Sequence, residues 1–138
     1  MTITQLSAFV ENRAGRINQI TRILGDNGIN LQAFCLAESS DFGILRMVVS
    51  DVERASELLR AAHIAVSRTQ VVALSCANTA GSLSQILDHL AAQSVFIEYM
   101  YAFAEGDTAR VVIRPTNIEV CLEALQNTAC QIITTTTL

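Results

Sequence analysis

Glu11-Asn12-Arg13-Ala14-Gly15-Arg16-Ile17 returns sixty-six positions later as Ala77-Asn78-Thr79-Ala80-Gly81-Ser82-Leu83. In each copy an asparagine and a glycine lead into apolar residues at helical spacing, which predicts the start of a helix. The first amides of a helix lack partners within it, and the summed peptide dipoles place partial positive charge there. A glycine at that point lets a ligand approach the backbone, and an asparagine amide both donates and accepts. Each copy is therefore a candidate pocket for a small carboxylate or a free α-amino acid. The competing reading is that Asn12 and Asn78 only cap their helices while the glycines let helix pack on sheet.

Working outward from the first copy, Ile3 to Val10 alternates as a strand, and Ile17, Ile20, Ile23 and Leu24 then recur at helical spacing until Gly28. Asn30 to Ala37 and Gly43 to Val49 read as a hairpin around Glu38-Ser39-Ser40-Asp41. Ser50 and Glu53 have capping-box spacing ahead of Val52, Ala55, Leu58, Leu59 and Ala62, and Ile64 to Thr69 closes the unit. The second copy repeats this order. Gln19, Ile20 and Leu24 match Gln85, Ile86 and Leu90, and Phe96 to Ala104 with Arg110 to Arg114 forms its hairpin. Thr116 and Glu119 follow Pro115 as a second capping box, and Cys130 to Thr136 is the last strand. The expected architecture is α+β: two ferredoxin-like βαββαβ modules, residues 1–69 and 70–138, with antiparallel sheets and helices on one face. No spacer separates them, because Gln70-Val71-Val72-Ala73-Leu74 is already strand.

Composition narrows the function classes. Hydrophobic residues make up 51% of the 138, against 16% charged, which leaves apolar surface for self-association, a homodimer being expected. The nine basic residues are all arginine, and thirteen acids bring the net charge to -4, which disfavours nucleic acid. Cys35, Cys76, Cys121 and Cys130 are too scattered for a zinc site or a redox dithiol and read as buried free thiols in a cytoplasmic protein. No metal, cofactor or membrane segment is expected. No Ser-His-Asp, paired-carboxylate or Cys-His arrangement can be placed, so no catalytic residue is assigned. An acylphosphatase-like enzyme shares this topology, but its glycine-rich phosphate cradle is missing. RNA-binding sheets of the same topology carry aromatics on their central strands, which Leu45 to Val49 and Leu74-Ser75-Cys76 lack.

A loop of the form Asn-x-x-Gly-x-Ile/Leu within βαββαβ, followed by Gly28-Ile29-Asn30-Leu31 at the second strand, resembles the ACT domain, a small-molecule sensor module. Glu11 to Gly15 and Gly28 to Asn30 are similar to the serine-sensing regulatory domain of phosphoglycerate dehydrogenase. DFGILRMVVSD at 41–51 and FIEYMYAF at 96–103, in a chain of two repeats, resemble the free-standing tandem ACT proteins that bind amino acids. The resemblance spans essentially the whole chain. It implies an amino-acid ligand held between modules, with Asn12, Arg13, Ala14, Gly15, Arg16 and Ile17 from the loop of one and Asn30 and Leu31 from its neighbour's second strand. Asn78, Ala80, Gly81, Ser82, Leu83 and Ile97 are the counterparts in repeat 2. Phe96 stands in Asn30's place there, so one competent site per chain, in repeat 1, is expected. Alanine occupies positions 14 and 80, where the family usually has proline, and Val10 the place of a ligand-contacting histidine, which argues against serine. The alternative that the resemblance offers is a regulatory subunit docking on an amino-acid biosynthetic enzyme such as acetolactate synthase.

Several single residues carry two readings. Arg13 and Arg16 either pair with a ligand carboxylate or reach into solvent, and Asp41 either holds a ligand ammonium or caps its own turn. Tyr99 and Tyr101 share one strand face and read as packing surface. His63 and His89 fall near helix ends, where capping is the expected role.

Overall fold

The computed structural model describes residues 2–11, 13–38 and 41–134. Asn12, Ser39 and Ser40, and the end of the expected last strand at residues 135 and 136, lie outside the described residues. The elements are β1 (Ile3–Glu11), α1 (Arg16–Asp26), β2 (Leu31–Glu38), β3 (Phe42–Val49), α2 (Val52–Ala61) and β4 (Val66–Ala77), then α3 (Ser82–Ala92), β5 (Ile97–Glu105), β6 (Thr108–Pro115), α4 (Ile118–Leu125) and β7 (Gln131–Ile133). The chain divides into two compact units, one from Thr4 to Thr69 and the other from Gln70 onward together with Thr2 and Ile3. The sequence predicts a strand ending at Thr69 and another starting at Gln70, but β4 is continuous and serves both. No residue between Val66 and Ala77 is a glycine or proline that would interrupt it.

In the first unit the hydrogen-bonded order is β2-β3-β1 followed by the start of β4, with β1 and β2 both antiparallel to β3. Alternation sends Leu6, Ala8 and Val10 of β1 and Leu45, Met47 and Val49 of β3 into one core with Ile20 and Leu24 of α1 and Ala55 and Leu59 of α2. In the second unit the order is β7-β4-β6-β5. Its core gathers Val72, Leu74, Val111 and Ile113 with Ile86 and Leu90 of α3 and Cys121 and Leu125 of α4. Ile20 and Ile86, and Leu24 and Leu90, thus hold equivalent buried positions. In both units the helices draw their stability from packing an amphipathic face, since eight to eleven residues are too few to be helical alone.

The helix starts differ from expectation by one residue. Asp51, and not Ser50, caps α2 by accepting from the Arg54 amide at 3.1 Å. Ser50 instead accepts from the Asn30 amide at 3.0 Å, closing the end of the β2–β3 pair. Likewise Asn117, and not Thr116, caps α4 through the Val120 amide at 3.2 Å. Glu53 turns away from the helix end to Arg68 of β4, whose Nη2 donates to Oε2 at 3.1 Å while its Nε donates to Ser56 Oγ at 3.3 Å. The hydrogen bond from Arg68, helped by its charge, holds the Glu53 carboxyl below the usual carboxylate range, and the same bond raises Arg68. His89 of α3 meets the Ala124 carbonyl of α4 through Nε2 at 2.6 Å, the capping role expected of a histidine near a helix end.

After α1 the chain turns at Gly28 with φ 71°, and after α3 it makes the same turn at Ser94 with φ 60°. Left-handed backbone costs a residue with a Cβ about 1–2 kcal/mol, partly offset because glycine loses more freedom on folding. Ser94→Gly is therefore expected to stabilise the protein by roughly 0.5–1 kcal/mol, read as a higher urea midpoint at unchanged slope. An unchanged or lower midpoint would show that the serine side chain compensates for its backbone.

All four cysteines are free, and burial pushes the Cys76 and Cys121 thiols up, away from reactive thiolate. Among the described residues no group of three or more His, Cys, Asp and Glu side chains is placed to hold a metal ion. No described helix is long and apolar enough to cross a membrane.

Candidate ligand-binding site

The described end of the repeated loop, where it enters the helix, has matching backbone in both units. Gly15 and Gly81 are the N-cap residues of α1 and α3, at φ 90° and 88°, and among the described residues no side-chain cap is made to either helix. A Cβ at either position would meet nothing within 4 Å, so these glycines are required by their backbone angle and not by crowding. Their carbonyls accept the first helical bonds, from Gln19 and Gln85, each at 3.0 Å. The first amide of each helix donates to loop backbone, Arg16 to the Arg13 carbonyl at 3.4 Å and Ser82 to the Thr79 carbonyl at 3.1 Å, and first-turn amides without such a partner are open to water or a ligand. In the second unit Asn78 serves elsewhere: its Nδ2 donates to the Gly106 carbonyl at 2.9 Å and its amide to the Asp107 carbonyl at 2.8 Å. That ties the loop to the β5–β6 turn. Asn12, its counterpart, lies outside the described residues.

Two clefts flank the end of β1 in the first unit and share Val10 and Glu11. The first, about 250 Å³, opens toward the β2–β3 hairpin, where Ile17 and Leu36 are its apolar walls and Arg13 and Glu38 its charged ones, with Gly43 at its base. The second, about 290 Å³, opens on the other side, with Phe9, Ala62 and Ile64 as apolar walls and Arg16, Gln19 and His63 as polar ones. Glu11 stands between them. Its Oε2 lies 3.4 Å from Arg13 Nε and 3.4 Å from Arg16 Nη2. Arg16 Nη1 donates to Gln19 Oε1 at 3.0 Å, while Arg16 Nε is buried with no hydrogen-bond partner among the described residues.

Of the residues singled out from sequence, Arg13 and Ile17 line the first cleft and Arg16 the second, with Ala14 and Gly15 exposed on the loop between them. Asn30 and Leu31 are not brought to this site. They sit at the opposite end of β2 from Glu38, which is paired with Gly43 beside the first cleft. Seven strand steps of about 3.3 Å, or roughly 23 Å, separate the two ends. In the second unit Ala80 is exposed, Ser82 Oγ lies 2.6 Å from Thr79 Oγ1, and Leu83 is 38% exposed. Ile97 packs against the core. The sequence reading missed Leu36, Glu38 and Gly43, whose signal is the hairpin register, since a glycine facing Glu38 beside the loop leaves room where other residues would fill it. It also missed Gln19 and the Ala62–Ile64 turn, which only the tertiary fold brings to α1.

The family model of the ACT domain pair matches residues 1–138. This chain belongs to that family. It is similar to a crystallised protein of Bacteroides thetaiotaomicron at 45% identity and a TM-score of 0.95, covering 99% of this chain and 95% of that one. The regulatory subunit of aspartate kinase from Thermus thermophilus, solved in a ligand-free form, shares the fold at 15% identity and a TM-score of 0.66, over 88% of this chain and 89% of that subunit. The aspartate kinase of Clostridium acetobutylicum, described as an allosteric enzyme, does so at 15% identity and a TM-score of 0.56, over 91% of this chain and 32% of the enzyme. No curated protein matches the sequence.

Proposed function

We propose that this chain is a non-catalytic amino-acid sensor that binds its ligand at the first-unit loop and signals occupancy through its association with a second copy of itself. The observation that carries this reading is the turn at Gly15: a left-handed helix start with no side-chain cap among the described residues, beside a cleft lined by Arg13, Ile17 and Glu38, in a member of the ACT domain pair family. The ligand's carboxylate would face the first-turn amides, and its ammonium would face Glu38. Asn30 lies too far along its own sheet to reach this loop, so the ligand would take Asn30 and Leu31 from the partner copy. A ligand touching both copies strengthens their association by mass action. Four free thiols accord with work in a reducing cytoplasm.

The test is a thermal-shift panel of the twenty amino acids, with sedimentation measured on any that bind. One member should stabilise the protein by about 2.7 kcal/mol at a hundredfold excess over Kd and raise the dimer fraction. Asn12→Ala should weaken that response more than Asn78→Ala, whose side chain is engaged with the β5–β6 turn. Should every amino acid leave the melting point unmoved while a biosynthetic enzyme co-purifies, the regulatory-subunit reading replaces this one.

A further inference from the structure

Two of the four cysteines face each other in the second unit, and the sensor reading makes no use of them. We infer that Cys76 and Cys130 are an oxidant-responsive thiol pair, which hydrogen peroxide closes into a disulfide that staples β7 to β4. The inference rests on strand register and stands whether or not an amino acid binds at the loop.

The two residues lie far apart along the chain, and only the fold brings them together. β4 pairs antiparallel with β7 through Ala73 with Ile133, Leu74 with Ile132 and Ser75 with Gln131. One further step of that register sets Cys76 opposite Cys130. Facing residues of an antiparallel pair point to the same side, with Cα atoms about 4.5–5.5 Å apart, inside the window of about 4.4–6.8 Å that a disulfide spans. Both side chains accordingly pack against the core of the second unit. They are near enough to influence each other, since burial pushes the Cys76 thiol up and the Cys130 thiol adds to the rise. Neither is sealed off: both are partly exposed, whereas Cys121 is fully buried. The turn ahead of β7 holds Cys130 in place, because Thr128 Oγ1 accepts from the Cys130 amide at 3.4 Å and donates to the Leu125 carbonyl at 2.8 Å. The first unit supplies the contrast. Sixty-six positions earlier stand Val10 and Ile64, two apolar walls of the second cleft that can form no such bond.

The reaction balances with peroxide as the oxidant. The Cys130 thiolate attacks one peroxide oxygen, the O–O bond breaks, and a sulfenic acid and one water result. The Cys76 sulfur then attacks the Cys130 sulfur, and the S–O bond breaks. The departing hydroxyl leaves with the Cys76 proton as a second water. Two thiols thus lose two electrons to one peroxide. Cys76, held protonated by burial, suits the second step, where proximity makes up for a small share of thiolate. β7 spans three residues, Gln131–Ile133, so a covalent link at its entry fixes a strand that few hydrogen bonds hold.

The test titrates the full chain with hydrogen peroxide, quenches it with catalase, unfolds it and counts the remaining thiols with a maleimide mass tag. Four tags are expected before treatment and two after, with dithiothreitol restoring all four. Mass spectrometry of unreduced peptides should find Cys76 joined to Cys130 within one chain. The oxidised protein should also unfold at a higher urea midpoint than the reduced one. Cys76→Val and Cys130→Ile, which install the first unit's residues, should each form no disulfide and show no rise in midpoint, whereas Cys35→Ala should behave as the parent. If circular dichroism shows that either variant has lost its fold, Cys76→Ala or Cys130→Ala takes its place. Four tags after treatment, a disulfide through Cys35 or Cys121, a link between chains, or a midpoint that fails to rise overturns the inference.

Discussion

Leu24→Ala is expected to cost the protein about 2–5 kcal/mol of stability, measured from urea unfolding. Leu24 is fully buried on the inner face of α1, in the cluster that joins β1, β3 and α2. Its carbonyl also accepts the Ile29 amide at 2.9 Å, part of the turn that leads from the helix into β2. The substitution leaves that backbone bond in place and removes only side-chain volume, so the loss measures packing: the transfer term of the missing carbons plus the cavity they leave. Leu90→Ala should cost a similar amount, because Leu90 is equally buried in the matching position of α3 and its carbonyl accepts from Val95 at 2.9 Å. Leu36→Ala is the contrasting case: 49% exposed at the rim of the first cleft, it should cost well under half as much. A loss below about 1 kcal/mol for Leu24→Ala would mean that the α1 face is not the core element described here.

Gly43→Val is expected to abolish the thermal response to the amino-acid ligand, an effect of about 2.7 kcal/mol at a hundredfold excess over Kd, while leaving the fold intact. A Cβ at Gly43 would lie 3.2 Å from Leu36 Cδ1 and 3.5 Å from Val10 Cγ2. The nearer atom is the end of a half-exposed side chain that can rotate away, and the backbone of Gly43 needs no left-handed angle. A valine is therefore accommodated by moving Leu36, and its two methyl groups then occupy the base of the cleft beneath Arg13 and Ile17. β-branched residues also suit a strand position better than glycine does. Circular dichroism and the urea midpoint should consequently stay near those of the parent while binding disappears. A retained response in a folded Gly43→Val protein would move the ligand out of this cleft.

The element types were legible in the sequence because their signals are periodic. Alternation marked β1 and β3, helical spacing marked α1 and α3, and the repeat at sixty-six positions let each half support the reading of the other. Boundaries were less legible where two polar residues compete to cap: Ser50 and Asp51 are adjacent, as are Thr116 and Asn117, and only the fold, which engages Ser50 with Asn30, decides between them. The site was half legible. A loop motif pointed to Arg13, Arg16 and Ile17, because they are contiguous with the glycine. Glu38 and Gly43 are brought in by strand register, and His63 by the return from α2, neither of which leaves a mark near the motif. Asparagine was the most ambiguous residue. Asn78 sits in the motif, yet its amide holds a hairpin turn, a role that sequence spacing does not distinguish from ligand contact.

The uninterrupted run from Val66 to Ala77 has a practical consequence for anyone wishing to study either half alone. A gene cut between Thr69 and Gln70 would part that strand between the opening residues that belong to the first unit and the Val72–Ala77 stretch that pairs with β6, leaving each fragment with a bare strand end. Fragments meant to stand alone are better cut a few residues beyond that point on either side, so that neither starts or stops on the strand's last paired residue.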